Sequence, residues 1–343
     1  MDQLLRHHGD VDAAAGLLDF AVNVRGDRPP AWLRARLAAA LDGVGSYPSA
    51  AQDAAARAAV AARHGRDPAE VLVLGGVAEG FALLPALAPR SAVVVHPSFT
   101  EPEVALRRAG IPVRRVLTDA AYQLQPGWIS GETDLVVLGN PTNPTSVLHP
   151  AEVVRALARP GRVLVVDEAF ADAVPGEQDS LADDHETPGL LVFRSLTKTW
   201  ALPGLRAGYA LGAPELLARL AAPRPPWPVG TLVLEAVQAC SVPAAVAEAA
   251  AVAAQISQHR EWMVNRLDEL PGVVVHQPAA APFLLLRVPN GPRIRAALAA
   301  AGIAVRRGDT FPGLTPDHLR VAVRPPQLAG ALVDGLRLAL AAA

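Results

Sequence analysis

Short apolar segments alternate with longer amphipathic segments between about residues 70 and 212 of the chain. Apolar runs of this kind are typical of strands that are buried on both faces, and the segments between them have helical periodicity. The pattern predicts an α/β fold in which helices cover both faces of a mostly parallel sheet. The predicted strands are residues 71–74, 92–96, 113–117, 135–138, 163–166, 191–193 and 207–211.

The pattern changes after the proline-rich segment 223–228. One long alanine-rich helix is predicted from there to about Leu270, followed by a mixture that predicts a smaller α+β domain. Its expected strands are 273–276, 283–288, 304–307 and 319–323, and its expected helices are near 291–301 and 326–341. We therefore expect an N-terminal segment, residues 1–45, that packs with the small domain, a large domain over 46–228 and a small domain over 229–343.

Composition narrows the possible partners. The formal net charge is −2, and the basic residues are spread over the whole chain, which argues against binding to nucleic acid. The stretch near 242–256 is interrupted by Glu248 and is too weakly apolar for a membrane span, and the first residues do not resemble a secretory signal. We expect a cytoplasmic enzyme with no metal, because no two histidines have the spacing of metal ligands on a helix and Cys240 is the only cysteine.

Lys198 is the only lysine among the 31 lysine and arginine residues. Arginine serves wherever a surface cation is all that is required, but a guanidinium does not lose its proton in a protein. A lysine amine does, and it can then act as a nucleophile or form a Schiff base. The composition therefore marks Lys198 as a candidate catalytic residue.

Polar residues that suit a phosphorylated ligand follow several of the predicted strands. Gly76, Val77 and Ala78 follow the first strand and open a helix, whose backbone N–H groups favour phosphate. Asn143 follows the strand 135–138 and Asp167 the strand 163–166, at the edge where open α/β sheets bind ligands. Ser195, Thr197, Lys198 and Arg206 come after the strand 191–193.

In this order, the motifs resemble those of fold type I pyridoxal-phosphate enzymes of the class I/II aminotransferase family. Further pieces are similar to the branch that contains histidinol-phosphate aminotransferase and the cobalamin-pathway threonine-phosphate decarboxylase. These pieces are His8-Gly9, Leu18 to Asn23, Tyr47-Pro48, Pro97 to Glu101, Asp167 to Phe170, Phe311 to Leu314 and Leu319 to Arg324. The resemblance covers nearly the whole chain and implies the aminotransferase fold.

The resemblance implies roles around pyridoxal 5′-phosphate (PLP). Lys198 would hold the cofactor as a Schiff base and move protons, and Asp167 would keep the pyridine nitrogen protonated. Asn143 would bind the ring hydroxyl, and Phe99 would stack on the ring. The remaining residues that the family implies for the cofactor bind its phosphate: Gly76, Val77, Ala78, Ser195, Thr197, Arg206 and, from a partner subunit, Tyr47.

For the substrate, the resemblance implies that Arg320 grips a carboxylate as a bidentate fork. Asn23, Arg25, His8 and Arg324 are the further expected substrate residues. Arg25 stands where relatives have asparagine, so we expect it to face a distal anion of the substrate. The implied role of Tyr47 predicts a homodimer with shared active sites. Phe170 replaces a tyrosine that many relatives have beside the ring hydroxyl, so the cofactor is expected to be tuned differently.

The resemblance favours an aminotransferase that acts on a small amino acid or amino phosphate. Threonine-phosphate decarboxylation in cobalamin biosynthesis is the alternative, because the sequence does not show whether the α-proton or the α-carboxylate of the substrate is lost. A third interpretation is a catalytically silent PLP-binding protein or regulator. It is disfavoured because fused DNA-binding helices are absent and the residues of the electron sink are present.

Overall fold

The computed structural model describes residues 2–13 and 16–342; the few remaining positions of the predicted N-terminal segment and small domain lie outside the described residues. The helices are α1 Asp2–Leu5, α2 Gly9–Asp12, α3 Ala31–Ala40, α4 Ala50–His64, α5 Val77–Leu83, α6 Glu101–Arg108, α7 Ala151–Arg155, α8 Pro214–Ala221, α9 Thr231–Ser241, α10 Pro243–Asp268, α11 Gly291–Ala300 and α12 Pro326–Ala341. The strands are β1 Leu18–Asp19, β2 Val71–Leu74, β3 Ala92–His96, β4 Val113–Leu117, β5 Leu135–Gly139, β6 Val163–Asp167, β7 Leu190–Ser195, β8 Gly208–Gly212, β9 Val274–Val275, β10 Phe283–Arg287, β11 Ile303–Ala304, β12 Arg306–Arg307 and β13 His318–Ala322.

A seven-stranded sheet in the order β2-β8-β7-β6-β5-β3-β4 forms the centre of the large lobe, by which we mean this sheet and its covering helices. In the part of the sheet ordered β4-β3-β5-β6-β7, each strand is parallel to the next, which confirms the predicted mostly parallel α/β sheet. β8 runs antiparallel to both β2 and β7. The sequence does not reveal this reversal, because a buried strand has the same apolar run in either direction.

The strand register brings the polar strand ends to one edge of the sheet. Gly139 pairs with Asp167, and Asp167 pairs with Phe193, two residues before Ser195. The residues that follow β5, β6 and β7 therefore start at the same level. This is the carboxyl edge, where ligands bind in open α/β sheets.

The long helix predicted after residue 228 is instead two helices, α9 and α10, which meet at 73°. Pro243 causes the break, because proline has no N–H for the helix ladder and forces the preceding residue out of the helical region. Val242 is accordingly extended, with ψ 153°. Within the described part of the chain, no single helix has the length and apolarity to cross a membrane; only this bent pair meets both criteria, and only when the two are taken together.

A second hydrophobic core belongs to the C-terminal lobe, which consists of the four-stranded sheet β12-β13-β10-β9 with α11 and α12. The first part of α10 packs in the core of the large lobe through Ala245 and Ala249, and its last part packs here through Met263 and Leu267. The predicted division after residue 228 stays a prediction. Residues 18–20 join this lobe, since β1 pairs with β11 and Phe20 is fully buried in this core, whereas Leu33 of α3 packs in the core of the large lobe.

Candidate active site

A cavity of about 380 Å³ lies at the carboxyl edge of the seven-stranded sheet, between the two lobes and the N-terminal segment. Small-molecule sites commonly have volumes of ~300–1,000 Å³. Most of the site residues predicted from the sequence line this cavity. They are His8, Asn23, Val77, Ala78, Phe99, Asn143, Asp167, Ser195, Thr197, Lys198, Arg206 and Arg320.

Lys198 faces the cavity from the turn after β7. Its burial lowers the pKa of the amine to about 8, and the positive charges of Arg320 and Arg206 act in the same direction. No carboxylate of the described residues forms a salt bridge with it. A substantial fraction of this amine is therefore neutral, and hence nucleophilic, near neutral pH.

Asp167, at the end of β6, supplies a carboxyl group to the same cavity. Burial raises the pKa of this carboxyl to about 7, against the smaller opposing effects of a hydrogen bond from Ala169 N at 3.1 Å and of the Lys198 charge. No other hydrogen bond from the described residues reaches the carboxylate. A cationic group placed beside Asp167 would hold it in the ionised form.

The adjoining residues give Asp167 a fixed support. Glu168 turns away from the cavity and is buried against Arg194, with 3.1 Å between Oε2 and Nη1. Asp172 also pairs with Arg194 and lies 3.0 Å from the Arg63 guanidinium. Breaking one member of a buried ion network leaves an uncompensated charge, so this network holds the ends of β6 and β7 in place.

Donors for an anion converge where β2 turns into α5. Val77 and Ala78 line the cavity at the start of the helix, and Gly76 before them has φ +83°. A Cβ atom on Gly76 would lie 3.1 Å from Arg206 Nη2, so glycine permits the close approach of this guanidinium. Ser195 Oγ and Thr197 Oγ1 are 2.7 Å apart on the same wall. This arrangement suits a phosphate group.

Arg320 enters the cavity from β13 of the C-terminal lobe and donates to Asn143 Oδ1 at 2.5 Å and to the carbonyl oxygen of Ala21. Its Nε is buried without a hydrogen-bond partner in the described structure. Burial lowers the pKa of Arg320 to about 9, and the nearby charge of Arg306 adds to the effect. The guanidinium is thus short of anionic partners, and an anionic ligand would supply one.

The N-terminal segment closes one side of the cavity and contacts both lobes. His8 Nε2 lies 2.7 Å from Glu101 of α6, and its ring centroid is 5.5 Å from that of Phe99. On the other side, Arg306 of β12 donates to the carbonyl oxygen of His7 at 2.6 Å and lies 3.3 Å from a carboxylate oxygen of Asp12.

Asn23 is nine-tenths buried and lines the cavity, yet neither its amide nitrogen nor its amide oxygen has a hydrogen-bond partner in the part of the chain described. Buried polar side chains nearly always have such a partner. Because Asn23 borders an open cavity, the missing partner is best supplied by a ligand.

Besides Gly76, which directly precedes the lining residue Val77, three predicted residues do not line the cavity. Tyr47 is 73% exposed and stacks on Trp227 with ring centroids 4.2 Å apart. The Arg25 side chain is exposed, although its backbone N–H donates to the carbonyl oxygen of Lys198. Arg324 donates to the carbonyl oxygens of Asp19, Val22 and Val24, and these hydrogen bonds fix the backbone of residues 19–24.

The sequence argument gave no site role to several other cavity residues, among them Arg306, Phe311 and Asp10. Arg306 is 3% exposed, and its guanidinium carbon lies 4.8 Å from the centroid of the Phe311 ring. The available signal was the arginine pair Arg306-Arg307, which directly follows the apolar residues 303–305. Arginine is rarely buried without a partner or a function.

Comparison with known proteins gives consistent matches over nearly the whole chain. The family model for aminotransferase class I and II matches residues 15–336. A histidinol-phosphate aminotransferase of Mycobacterium tuberculosis (strain ATCC 25618 / H37Rv) is 54% identical over 331 residues, which cover 96% of this chain and 90% of that protein. The threonine-phosphate decarboxylase of Salmonella typhimurium is 30% identical, over 94% of this chain and 90% of that protein.

Among solved structures, that of the histidinol-phosphate aminotransferase from Clostridium acetobutylicum superposes with a TM-score of 0.87. The superposition covers 95% of this chain and 100% of that one, with 22% sequence identity. At this level of identity, the similarity shows the fold.

The lowered pKa predicts how Lys198 reacts in the cofactor-free protein. The rate at which the amine is acylated should rise with pH, with an inflection near pH 8, because only the neutral amine is nucleophilic. At pH 8 roughly 150-fold more of it should be neutral than for an ordinary lysine. Mass spectrometry measures the acylation rate of Lys198, with N-α-acetyllysine in the same reaction as the reference amine.

Two substitutions test the cause of the lowered pKa. Arg320→Met should shift the inflection to higher pH, and Asp167→Asn should shift it to lower pH. An inflection near pH 10.5 in the native protein would contradict the predicted environment.

The unpartnered amide of Asn23 predicts a change in activity without a change in stability. Asn23→Ala breaks no hydrogen bond within the described structure, so the free energy of unfolding should stay within ~0.5 kcal/mol. Its KM should rise roughly two- to tenfold, as expected for one net hydrogen bond of ~0.5–1.5 kcal/mol.

Asn140→Ala is the matched control, since the Asn140 amide accepts from His149 N and donates to His149 O at 2.7 and 3.0 Å. This change should destabilise the protein by ~1–3 kcal/mol. Urea denaturation and steady-state kinetics measure both effects. Equal destabilisation by the two substitutions would show that Asn23 is structural.

Proposed function

The chain belongs to the class I and II aminotransferase family and is a PLP-dependent enzyme, and from this premise we propose that it transfers the amino group of a phosphorylated amino compound, with histidinol phosphate as the leading candidate. The observation that carries the proposal is the charge of the cavity. Four cationic side chains line it, Lys198, Arg206, Arg306 and Arg320, against the two carboxyl groups of Asp10 and Asp167.

The side chains in the cavity fit PLP. Lys198 and Asp167 both face the cavity, and no salt bridge joins them within the described structure, so amine and carboxylate are both available to a cofactor. Val77, Ala78, Ser195, Thr197 and Arg206 would hold the phosphate, and Phe99 would pack on the ring face. When bound, PLP supplies an electrophilic aldehyde carbon and a ring that accepts electrons.

Lys198 would do the proton transfer. Its Nζ would hold the cofactor, and in its neutral form the same amine is a base. Nζ would take the proton from the α-carbon of the substrate. The Asp167 carboxylate would keep a proton on the ring nitrogen of the cofactor, because opposite charges in a buried site favour each other's ionised forms.

Arg320 and Asn143 would orient the substrate and the ring. The 2.5 Å hydrogen bond between them fixes the guanidinium relative to the carboxyl edge of the sheet. Arg320 would grip one anionic group of the substrate, and Arg306, with the nearby N-terminal segment, offers a second positive region. The amide of Asn23 would satisfy its two unpartnered atoms on the same ligand.

Decarboxylation of threonine phosphate is the second candidate. The observation that favours it is the presence of two separate buried arginines, Arg306 and Arg320, since threonine phosphate carries both a carboxylate and a phosphate. The 30% identity to a threonine-phosphate decarboxylase is consistent with this candidate, although the more similar relative is named as an aminotransferase.

We also propose that the enzyme is a homodimer in which Tyr47 of one subunit binds the cofactor phosphate of the other. Four apolar side chains in this region are more than half exposed, and three of them lie within one short segment. They are Leu41, Val44, Tyr47 and Trp227. Exposed apolar groups clustered in this way are typical of interfaces.

The choice between the two reactions can be tested with the purified holoenzyme. With L-histidinol phosphate and 2-oxoglutarate, we expect acceptor-dependent glutamate formation with a kcat of roughly 1–10³ s⁻¹. With L-threonine phosphate and no acceptor, little carbon dioxide should form. The Lys198→Ala variant controls for reactions that do not involve the enzyme. Rapid carbon dioxide release, with no amino transfer from histidinol phosphate, would replace the aminotransferase by the decarboxylase.

The shared site can be tested by mixing two variants of low activity, Lys198→Ala and Tyr47→Ala, under conditions that exchange subunits. Random pairing places both native residues in one of the two sites of each hybrid, so activity should approach about a quarter of the native value. A mixture of Lys198→Ala and Arg320→Ala is the control, because both residues serve the same site, and it should stay inactive. No recovery in the first mixture would place Tyr47 outside the partner's site.

A further inference from the structure

A second cleft, of about 760 Å³, opens between the two lobes away from the active cavity. One wall is the edge strand β4 with the turn 118–122 that follows it, and the other is formed by β9 and β10 of the C-terminal lobe. The cleft and the active cavity have no lining residue in common. Its side chains take no part in the reaction proposed above.

Tyr122 has a hydroxyl proton available to a ligand in this cleft. His318 Nδ1 accepts from Thr315 N at 3.1 Å and lies 2.9 Å from Thr315 Oγ1, so we assign the ring proton to Nε2. His318 Nε2 is 3.2 Å from Tyr122 Oη and therefore donates to it. The hydroxyl acts as an acceptor in that bond and retains its own proton for a second partner.

His276 and Arg287 have unpartnered polar groups on the same wall. His276 Nε2 is buried and has no hydrogen-bond partner in the described structure, and its ring stands edge-on to Tyr122 at 4.8 Å. Arg287, at the end of β10, is exposed, and its guanidinium forms neither a hydrogen bond nor a salt bridge with the residues that the structure describes. A buried unpartnered nitrogen and a guanidinium without a counterion both favour an acceptor with negative charge.

The acid that lines this cleft does not compensate Arg287. Asp119 Oδ1 accepts from the backbone N–H groups of Ala121 and Gln123, at 3.0 and 2.8 Å, and so closes its own turn. Apolar side chains, Pro97, Leu117 and Val275, form part of the rest of the lining. A ligand with one anionic group and an apolar body would complement both parts.

We propose that the cleft between the lobes is a binding site for a small organic anion, a carboxylate or a phosphate monoester on an apolar ring. Arg287 balances the charge of the anionic group, and Tyr122 and His276 bind it through hydrogen bonds. The apolar residues of β4 and β9 contact the ring. The occupant contacts both lobes at once.

Binding can be tested on the holoenzyme with 4-fluorobenzoate and 4-fluorophenyl phosphate, observed by fluorine NMR. The Arg320→Met variant separates the two cavities, because a bound signal that persists in it does not depend on the active site. That signal should weaken about tenfold in Arg287→Met and several-fold in His276→Leu, as expected for losing a charged and a neutral donor. Arg34→Met, at an exposed arginine on α3, is the matched control and should bind normally.

The relative affinities of the two probes identify the preferred anion, a carboxylate or a phosphate monoester, and tighter binding of either supports the site. The proposal is overturned if neither probe binds below about 10 mM, the range of nonspecific association. It is also overturned if adding Arg287→Met to the Arg320→Met variant leaves the binding unchanged. Thermal unfolding of each variant confirms that the fold is intact, and since Arg287 is exposed, its substitution should leave the unfolding temperature unchanged.

Discussion

The site depends on keeping one amine and one carboxyl group in the same enclosed space without letting them pair. Burial lowers the pKa of Lys198 to about 8 and raises that of Asp167 to about 7, so both groups lie close to the point where they change charge. If they were in contact, each would fix the charge of the other. Neither a hydrogen bond nor a salt bridge joins them in the described structure: Asp167 ends β6, and Lys198 lies three residues beyond the end of β7. Both groups therefore stay available to a ligand.

The positive potential of the cavity comes from both lobes. Arg206 belongs to the large lobe, whereas Arg306 and Arg320 belong to the C-terminal lobe and face the same cavity from strands β12 and β13. Bringing buried cations together is unfavourable unless anions join them. A cofactor phosphate and a substrate anion would therefore draw the lobes together as well as bind to them. The C-terminal lobe takes part in recognition in this way.

Much of this arrangement could be predicted from the sequence, for specific reasons. The strands 71–74, 92–96 and 113–117 have the predicted bounds, because short apolar runs between turn residues leave little ambiguity. The order of Asn143, Asp167 and Lys198 after successive strands located the cavity. Pro243, however, divides a helix that alanine richness predicted as continuous, and the direction of β8 depends on connectivity alone. Arg306 and Arg324 show a third limit: the sequence does not indicate which of many arginines turn inward or which bind backbone carbonyls.

The way in which the N-terminal segment is attached to the two lobes indicates where reactants enter the cavity and products leave it. It contacts the large lobe through His8 with Glu101 and through the hydroxyl of Thr100 with the carbonyl oxygen of Leu5. It is attached to the C-terminal lobe by β1, by the buried ring of Phe20 and by the arginines that contact Asp12. For residues 2–13 and 16–20 the second attachment is the stronger, whereas Leu33 of α3 is anchored in the core of the large lobe. A gap wide enough for a reactant to enter or a product to leave would therefore open along the His8 side, with the part of the segment before α3 moving with the C-terminal lobe.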